Sequence, residues 1–232
     1  MGASRDKVAS SGRRRPGLTR NEIVVTALRV VQEEGLEALS MRRLATEIGS
    51  GTMSLYWYVA DREELVRLVG DAAFADVELS PLDAPWRDQI FSVCEAFRAV
   101  VRKHPSLVPF IASAPFGPNL RRLHNRLAQS FRSAGLSDRD AASATLAVGS
   151  MTQGFAFGYA VPIDPAQRKD MVLENHAPLS SLSPNEFPDL VDLADELLEG
   201  DEDAQFKFSL NSLLDGIEAR ARPSRGRPKP GI

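Results

Sequence analysis

Cysteine is nearly absent from these 232 residues. The single Cys94 excludes an internal disulfide framework and fits a reducing compartment. It lies inside an apolar helix face and reads as a buried, inert thiol. The N-terminus has no apolar stretch of the signal-peptide kind, and no apolar run approaches the length of a membrane span. The expectation is a cytoplasmic chain with no membrane partner. Histidine is scarce as well: His104, His124 and His176 fall in separate segments, none with the spacing of a helical zinc pair. No metal site and no cofactor are expected. A nucleophile elbow, a dinucleotide glycine fingerprint and a phosphate-cradling loop are also missing, so no feature of the sequence points to an enzyme. Strand alternation, internal repeats and heptad arrays are lacking too.

What is present is helical periodicity, and the fold class it predicts is all-α. Thr19 followed by Glu22 is a capping box that starts a first helix at Arg20. Ile23, Ala27, Val30 and Val31 give that helix one apolar stripe, and Gly35 ends it. Ser40 is the next N-cap, with Leu44, Ala45 and Ile48 on the inner face of helix two. Gly49, Ser50 and Gly51 form a tight turn into a third helix, Thr52 to Tyr58. Asp61 with Glu64 caps a fourth, predicted to run from Arg62 to Val77. Two helices joined by a glycine turn, the second short and rich in aromatic residues, are the layout of a helix-turn-helix that lays its second helix in the major groove of DNA.

The segment LATEIGSGTMSLYWYVADREELV, from Leu44 to Val66, resembles the DNA-binding signature of the tetracycline-repressor (TetR) family. The matching residues are Leu44, Ala45, Gly49, Leu55, Tyr56, Trp57, Val59, Arg62 and Leu65, and Tyr58 stands where the family usually has histidine. The resemblance implies an operator of double-stranded DNA. Thr52 and Met53 occupy the variable base-reading positions, with Ser54, Tyr56, Trp57 and Tyr58 beside them. Of Arg42 and Arg43, one should project towards DNA. By resemblance it is Arg42, whose fork suits guanine O6 and N7 or a phosphate. Trp57 is either a DNA contact or a packing wedge. Arg62, Thr19 and Ser40 sit at helix starts, where backbone N–H groups favour phosphate.

The formal charge of −3 hides a segregation. Residues 1–30 carry seven basic against two acidic residues, 220–232 carry five basic and no acidic ones, and 71–219 carry 12 against 22. Basic ends and an acidic middle suggest that only part of the chain meets a polyanion. The expected domains are a basic disordered arm (1–18), the helix-turn-helix head (19–65), a helical ligand-binding and dimerisation body (66–220) and a basic tail (221–232). Arg225-Gly226-Arg227-Pro228 in the tail resembles the core of an AT-hook, whose arginines lie in a narrow minor groove. A solvated, disordered tail explains the same residues.

The body reads as helices over Trp86–Lys103, Leu107–Ala114, Asn119–Ala134, Arg139–Ala160, Glu186–Leu198 and Ala204–Arg220, with a loop at 162–184. Aromatic and soft apolar side chains with a few polar ones are how a small-molecule cavity is built. Residues 117–158 resemble the tetracycline repressor's effector domain, in which a phenylalanine on the first long helix lines the drug pocket. Phe97 is the matching residue. The positions matching that branch's magnesium-site histidine and its neighbouring asparagine are Glu78 and Val93, so a metal-bound effector is not expected. The expected walls are Phe97, Phe116, Met151 and Phe155, with Asn119 and Gln153 as orienting polar groups.

Arg139–Ala160 and Ala204–Arg220 are expected to pair with their symmetry mates in a homodimer. The faces concerned are Ala144, Val148, Thr152 and Phe155 on one helix, and Phe206, Leu210, Leu213, Leu214 and Ile217 on the other. The reading is a repressor that binds a palindromic operator as a dimer and is released by a small apolar effector. The alternative is an effector-independent architectural DNA-binding protein that uses its basic tails.

Overall fold

The computed structural model describes residues 17–113, 117–159, 182–198 and 201–221. The basic arm up to residue 16, Phe116, most of the 162–184 loop and the AT-hook-like tail lie outside them. Among the described residues every regular element is helical. The chain forms two compact units: residues 1–77 with 106–122, and residues 78–105 with 123–232.

The first unit holds α1 (Arg20–Glu34), a 3-10 turn (Leu36–Ala38), α2 (Met41–Ile48), α3 (Thr52–Leu55), α4 (Arg62–Ala72) and α6 (Val108–Ser113). The predicted caps form. The Thr19 hydroxyl accepts from the Glu22 amide at 3.1 Å, Ser40 from Arg43 at 3.1 Å, and an Asp61 oxygen from Glu64 at 2.7 Å. Each satisfies an amide that the first helical turn leaves without a partner. Gly49 closes α2 in the left-handed region (φ 70°, ψ 40°), and its amide and that of Ser50 turn back onto Ala45 and Thr46. A side chain there would be strained, which is why the turn of the helix-turn-helix is glycine. Ile23, Ala27, Val30, Leu44, Leu55 and Leu65 are all but inaccessible and form the head's core.

Two predicted extents change. The third helix is a single turn, Thr52–Leu55, followed by a hydrogen-bonded turn through Tyr58. Helix four stops at Ala72 rather than Val77 and unwinds through successive turns at Phe74 and Ala75.

The second unit is built on α5 (Trp86–Lys103) packed against α8 (Asp138–Gly158). α7 (Pro118–Ser133) contributes its residues from Leu123 onward. The predicted helix at Glu186–Leu198 is two short ones, α9 (Pro188–Asp192) and α10 (Ala194–Leu198), and α11 (Glu202–Ala221) closes the unit against α8. Gln89 has no counterpart in the sequence reading. It is buried, donates to the Leu82 and Ala84 carbonyls at 2.9 and 2.8 Å, and accepts from the Ser130 hydroxyl at 2.9 Å. It thereby ties the entry to α5 to α7.

Arg98 is fully buried on α5. Its guanidinium reaches Glu95 at 3.0 Å, Glu202 at 2.8 Å and Asp203 at 2.5 Å, and lies 4.0 Å from the centre of the Phe206 ring. Arg102 shares Glu202 and Asp203. The cluster fastens α5 to the first turn of α11, where acidic residues also favour the helix dipole.

The faces proposed for dimer pairing need correcting. Val148, Thr152, Phe206, Leu210 and Leu214 are buried within the chain, because α8 and α11 pack on each other through them. The large apolar residues that these two helices leave in the open are Leu146 and Phe208.

Candidate nucleic-acid interface and effector cavity

In the head, α2 and α3 present a surface with two unlike arginines. Arg43 donates to Glu34 at 2.5 Å and also pairs with Glu47, which takes Arg29 at 2.6 Å. Hydrogen bonds from Arg29 and then Arg43 pull the Glu47 carboxyl down to about 2. Arg43 is therefore spent inside an ion network. Arg42 is exposed and forms no ion pair among the described residues. Of the two, Arg42 is the one with a free fork.

Thr52 is half-buried at the start of α3, and Met53, Tyr56 and Trp57 stand out from it, with Trp57 67% exposed. That exposure rules out the wedge reading of Trp57. A large aromatic surface in water is unexplained unless something covers it. Tyr58 is half-buried behind these residues.

Two predicted DNA contacts are placed elsewhere. Ser54 is buried on the inner face of α3 with Leu55, because each residue of a helix is rotated about 100° from the last and Met53 takes the outer face. Arg62 spends its guanidinium on the chain itself: Nε donates to the Leu39 carbonyl at 2.8 Å and Nη2 to Leu36 at 3.2 Å. It clamps the turn that leads into α2. Thr19 and Ser40 are exposed, and while their oxygens accept from the caps their hydroxyl protons remain available.

In the second unit, Val93, Cys94 and Phe97 of α5, Leu123, His124 and Leu127 of α7, and Gly149, Thr152 and Gln153 of α8 wall a cavity of about 20 Å³. That holds about one water molecule. Burial pushes the Cys94 thiol up to about 12, so the wall is neutral there. Of the residues predicted to line a pocket, Phe97 and Gln153 do.

The others do not line it. Phe155 and Met151 lie on a different face of α8 from Gly149, Thr152 and Gln153, and Phe155 meets Phe206 edge-on with ring centres 5.5 Å apart. Asn119 belongs to the first unit, where its side-chain amide donates to Asp71 at 3.0 Å. The sequence reading passed over Val93 as a wall residue, and His124, Thr152 and Cys94 with it. Helical spacing from Phe97 back to Val93 and Cys94 was the available signal.

Residues 23–69 match the family described as bacterial regulatory proteins, tetR family, and residues 80–221 match the tetracyclin repressor-like C-terminal domain. The HTH-type transcriptional repressor DrrR1 of Streptomyces coeruleorubidus is 30% identical over 226 residues, which cover 93% of this chain and 83% of that protein. Similar too is the tetracycline repressor class A from transposon 1721 of Escherichia coli, 25% identical over 86% of this chain and 90% of its own length. Among solved structures, ActR of Streptomyces coelicolor in complex with actinorhodin superposes with a TM-score of 0.78 at 34% identity, covering 90% of this chain and 99% of ActR.

Proposed function

The chain belongs to the tetR family of bacterial regulatory proteins, and on that premise we propose that it represses transcription by holding a palindromic operator as a homodimer until a small apolar effector releases it. The observation that carries the DNA-binding half is the bare surface made by Arg42, Met53, Tyr56 and Trp57 beside an Arg43 already held by Glu34 and Glu47. Arginine and side chains of this kind reach base edges and phosphates from a recognition turn. DNA lies in the bacterial cytoplasm, so we place the regulator there. Its work is binding and release, and we assign it no catalytic step.

The effector reading rests on the cavity at Phe97 and on ActR, which is solved with actinorhodin. A ligand of several rings needs roughly 300 Å³ or more, so it enters only by parting α7 from α5 and α8. The closed cavity is then the operator-competent state, and the ligand selects the open one. An aromatic polyketide of the actinorhodin class is the proposed effector, bound without a metal ion.

For the dimer, open surfaces replace the buried part of the predicted faces, while Leu213 and Ile217 remain. Leu146 and Phe208 are 65% and 75% exposed, and Ser143, Ala147, Leu213 and Ile217 line an open groove. A second copy would cover them. Leu146→Glu with Phe208→Glu should convert the dimer to a monomer in sedimentation, and a persistent dimer would move the interface elsewhere.

The direct test of function is fluorescence anisotropy on DNA flanking the chain's own gene. Sequence-selective binding that actinorhodin reverses, with or without chelator, supports the reading. Binding that depends on salt but not on sequence would favour the architectural alternative, which relies on tails outside the described residues.

A further inference from the structure

α7 does not cap itself. The position before Pro118 is Gly117, which has no side chain to offer, whereas α1, α2, α4 and α8 each carry their own capping side chain. The cap comes from α4 instead. One oxygen of the Asp71 carboxylate accepts from the Leu120 amide at 3.0 Å, and the other from the Asn119 amide at 3.2 Å and its side-chain amide at 3.0 Å. Asp71 is buried. A carboxylate on the free amides of a first turn satisfies them and matches the positive end of the helix dipole.

The exchange is returned. Arg122, one turn into α7, donates to the carbonyls of Phe74, Ala75 and Val77, each at 3.1 Å. Those carbonyls belong to the turns that follow α4, just beyond the negative end of its dipole. The fit is close: a Cβ on Gly117 would fall 2.3 Å from the Asp71 carboxyl carbon. Asp71 and Arg122, far apart in sequence, thus tie the end of one helix to the start of another, with opposite charges on the two complementary ends.

α7 then runs on without a break into Leu123, His124 and Leu127, which wall the cavity. We propose that Asp71 and Arg122 form a reciprocal latch through which displacement of α7 is passed to α4. The inference rests on the effector reading above and names the residues that would make it work. The α7 wall must move for a ligand to enter a cavity of about 20 Å³. A helix moves as a rigid body over so few residues, so its first turn moves with the wall. α4 follows because three hydrogen bonds from Asp71 in its last turn, and three from Arg122 to the turns just after it, fasten it to α7, and α4 packs directly on α1 of the head. Asp71 and Arg122 are positioning residues, touching neither DNA nor ligand.

Asp71→Ala, Asp71→Asn and Arg122→Ala, each as the full chain, test this. Amide exchange is followed in α7 with and without operator DNA, and operator affinity is measured with and without actinorhodin. In the wild type, operator binding slows exchange over 119–127, and actinorhodin weakens operator affinity by a factor within the about 5- to 150-fold range of allosteric coupling. Asp71→Ala and Arg122→Ala bind operator as before, lose the protection in α7, and bring the actinorhodin factor close to one. Asp71→Asn, which keeps a capping oxygen, retains part of both.

A purely structural cap would lower the melting temperature and leave the factor intact, and that result overturns the latch. So does a wild type without operator-linked protection in α7. Arg122 is exposed, so Arg122→Ala decides the matter if Asp71→Ala does not fold. If actinorhodin leaves wild-type operator affinity unchanged, the effector class proposed above is wrong, and the exchange experiment still decides the latch.

Discussion

The head and the body use the same kinds of side chain in opposite ways. In the head, Met53 and Trp57 are two-thirds exposed, and the exposure itself marks the surface. In the body, Phe97 is 5% exposed and indistinguishable by burial from any core phenylalanine. A site that works by meeting a large partner has to leave apolar groups in water, where they stand out against the expected pattern. A site that works by opening stays closed and resembles packing until it is occupied. The charges divide the same way. The head's ion pairs lie at the surface, while the body hides a wholly buried arginine.

That second contrast yields the largest expected effect. Arg98 is inaccessible and its acidic partners, Glu202 and Asp203, start α11. Arg98→Ala leaves a void beside Phe206 and loses the bonds to Glu202 and Asp203, which keep Arg102 as a partner, and truncating so large a buried side chain should cost about 2–5 kcal/mol. Arg43→Ala, which also deletes two ion pairs, should cost under about 1 kcal/mol because its network is open to solvent. Urea denaturation of the two variants checks the pair of values. Equal losses would erase the distinction between the regions. Arg98→Met should recover part of the deficit by refilling the space.

The next effect belongs to the head. Arg42→Ala should weaken operator binding by about 1–3 kcal/mol and relax preference at one base pair if the fork reads a base. Tyr56→Ala should weaken binding more evenly across sequences. Ser54→Ala should leave sequence preference unchanged, since Ser54 faces inward. Competition with operators altered one base pair at a time distinguishes these outcomes. A larger effect from Ser54→Ala than from Arg42→Ala would mean that the surface bound to DNA is not the one exposed here.

How much of this was legible followed the range of the interaction. The caps at Thr19, Ser40, Asp61 and Ser137 were readable because each side chain bonds an amide three residues on. The end of α4 was not. Phe74 and Val77 continue an apolar pattern, and no glycine or proline stops it before Pro81, while the carbonyls of the turns that replace the helix, Phe74, Ala75 and Val77, are satisfied by Arg122 from another helix. Asn119 stands apart from the cavity at Phe97 for the same reason: its partner Asp71, distant in sequence, holds it in the first unit. Met151 and Phe155 were chosen for residue type, whereas the cavity selects one helical face, Gly149, Thr152 and Gln153. In the head, Ser54 shares the inner face with Leu55, since one helical position, about 100° of rotation, separates it from the exposed Met53. Arg62 was lost because an exposed arginine can be spent on backbone carbonyls that no sequence pattern reveals.

The smallest effect concerns pH, and it separates the two regions by where histidine is found. His104, His124 and His176 all lie beyond residue 77 and outside 106–122, so the head unit has none. His104 closes α5, its amide donating to Val100 at 3.0 Å and Val101 at 3.2 Å, and its imidazole is buried. Burial, and then the charge of Lys103, hold its pKa below the usual value. The unfolded chain, with an ordinary value of about 6.5, therefore takes up the proton more readily than the folded one. The neutral form's contribution to stability is complete above that pH and is lost as pH falls through the lower folded value. His104→Asn removes this component alone. The stability difference between wild type and variant should shrink as pH is lowered from about 7 to about 5, read as urea midpoints at each pH. Operator affinity of the folded protein should stay nearly level over the same interval, because the head unit holds no histidine. Parallel stability profiles for the two proteins would remove His104 from the acid response, and a steep pH dependence of operator affinity would place a titrating group in the head after all.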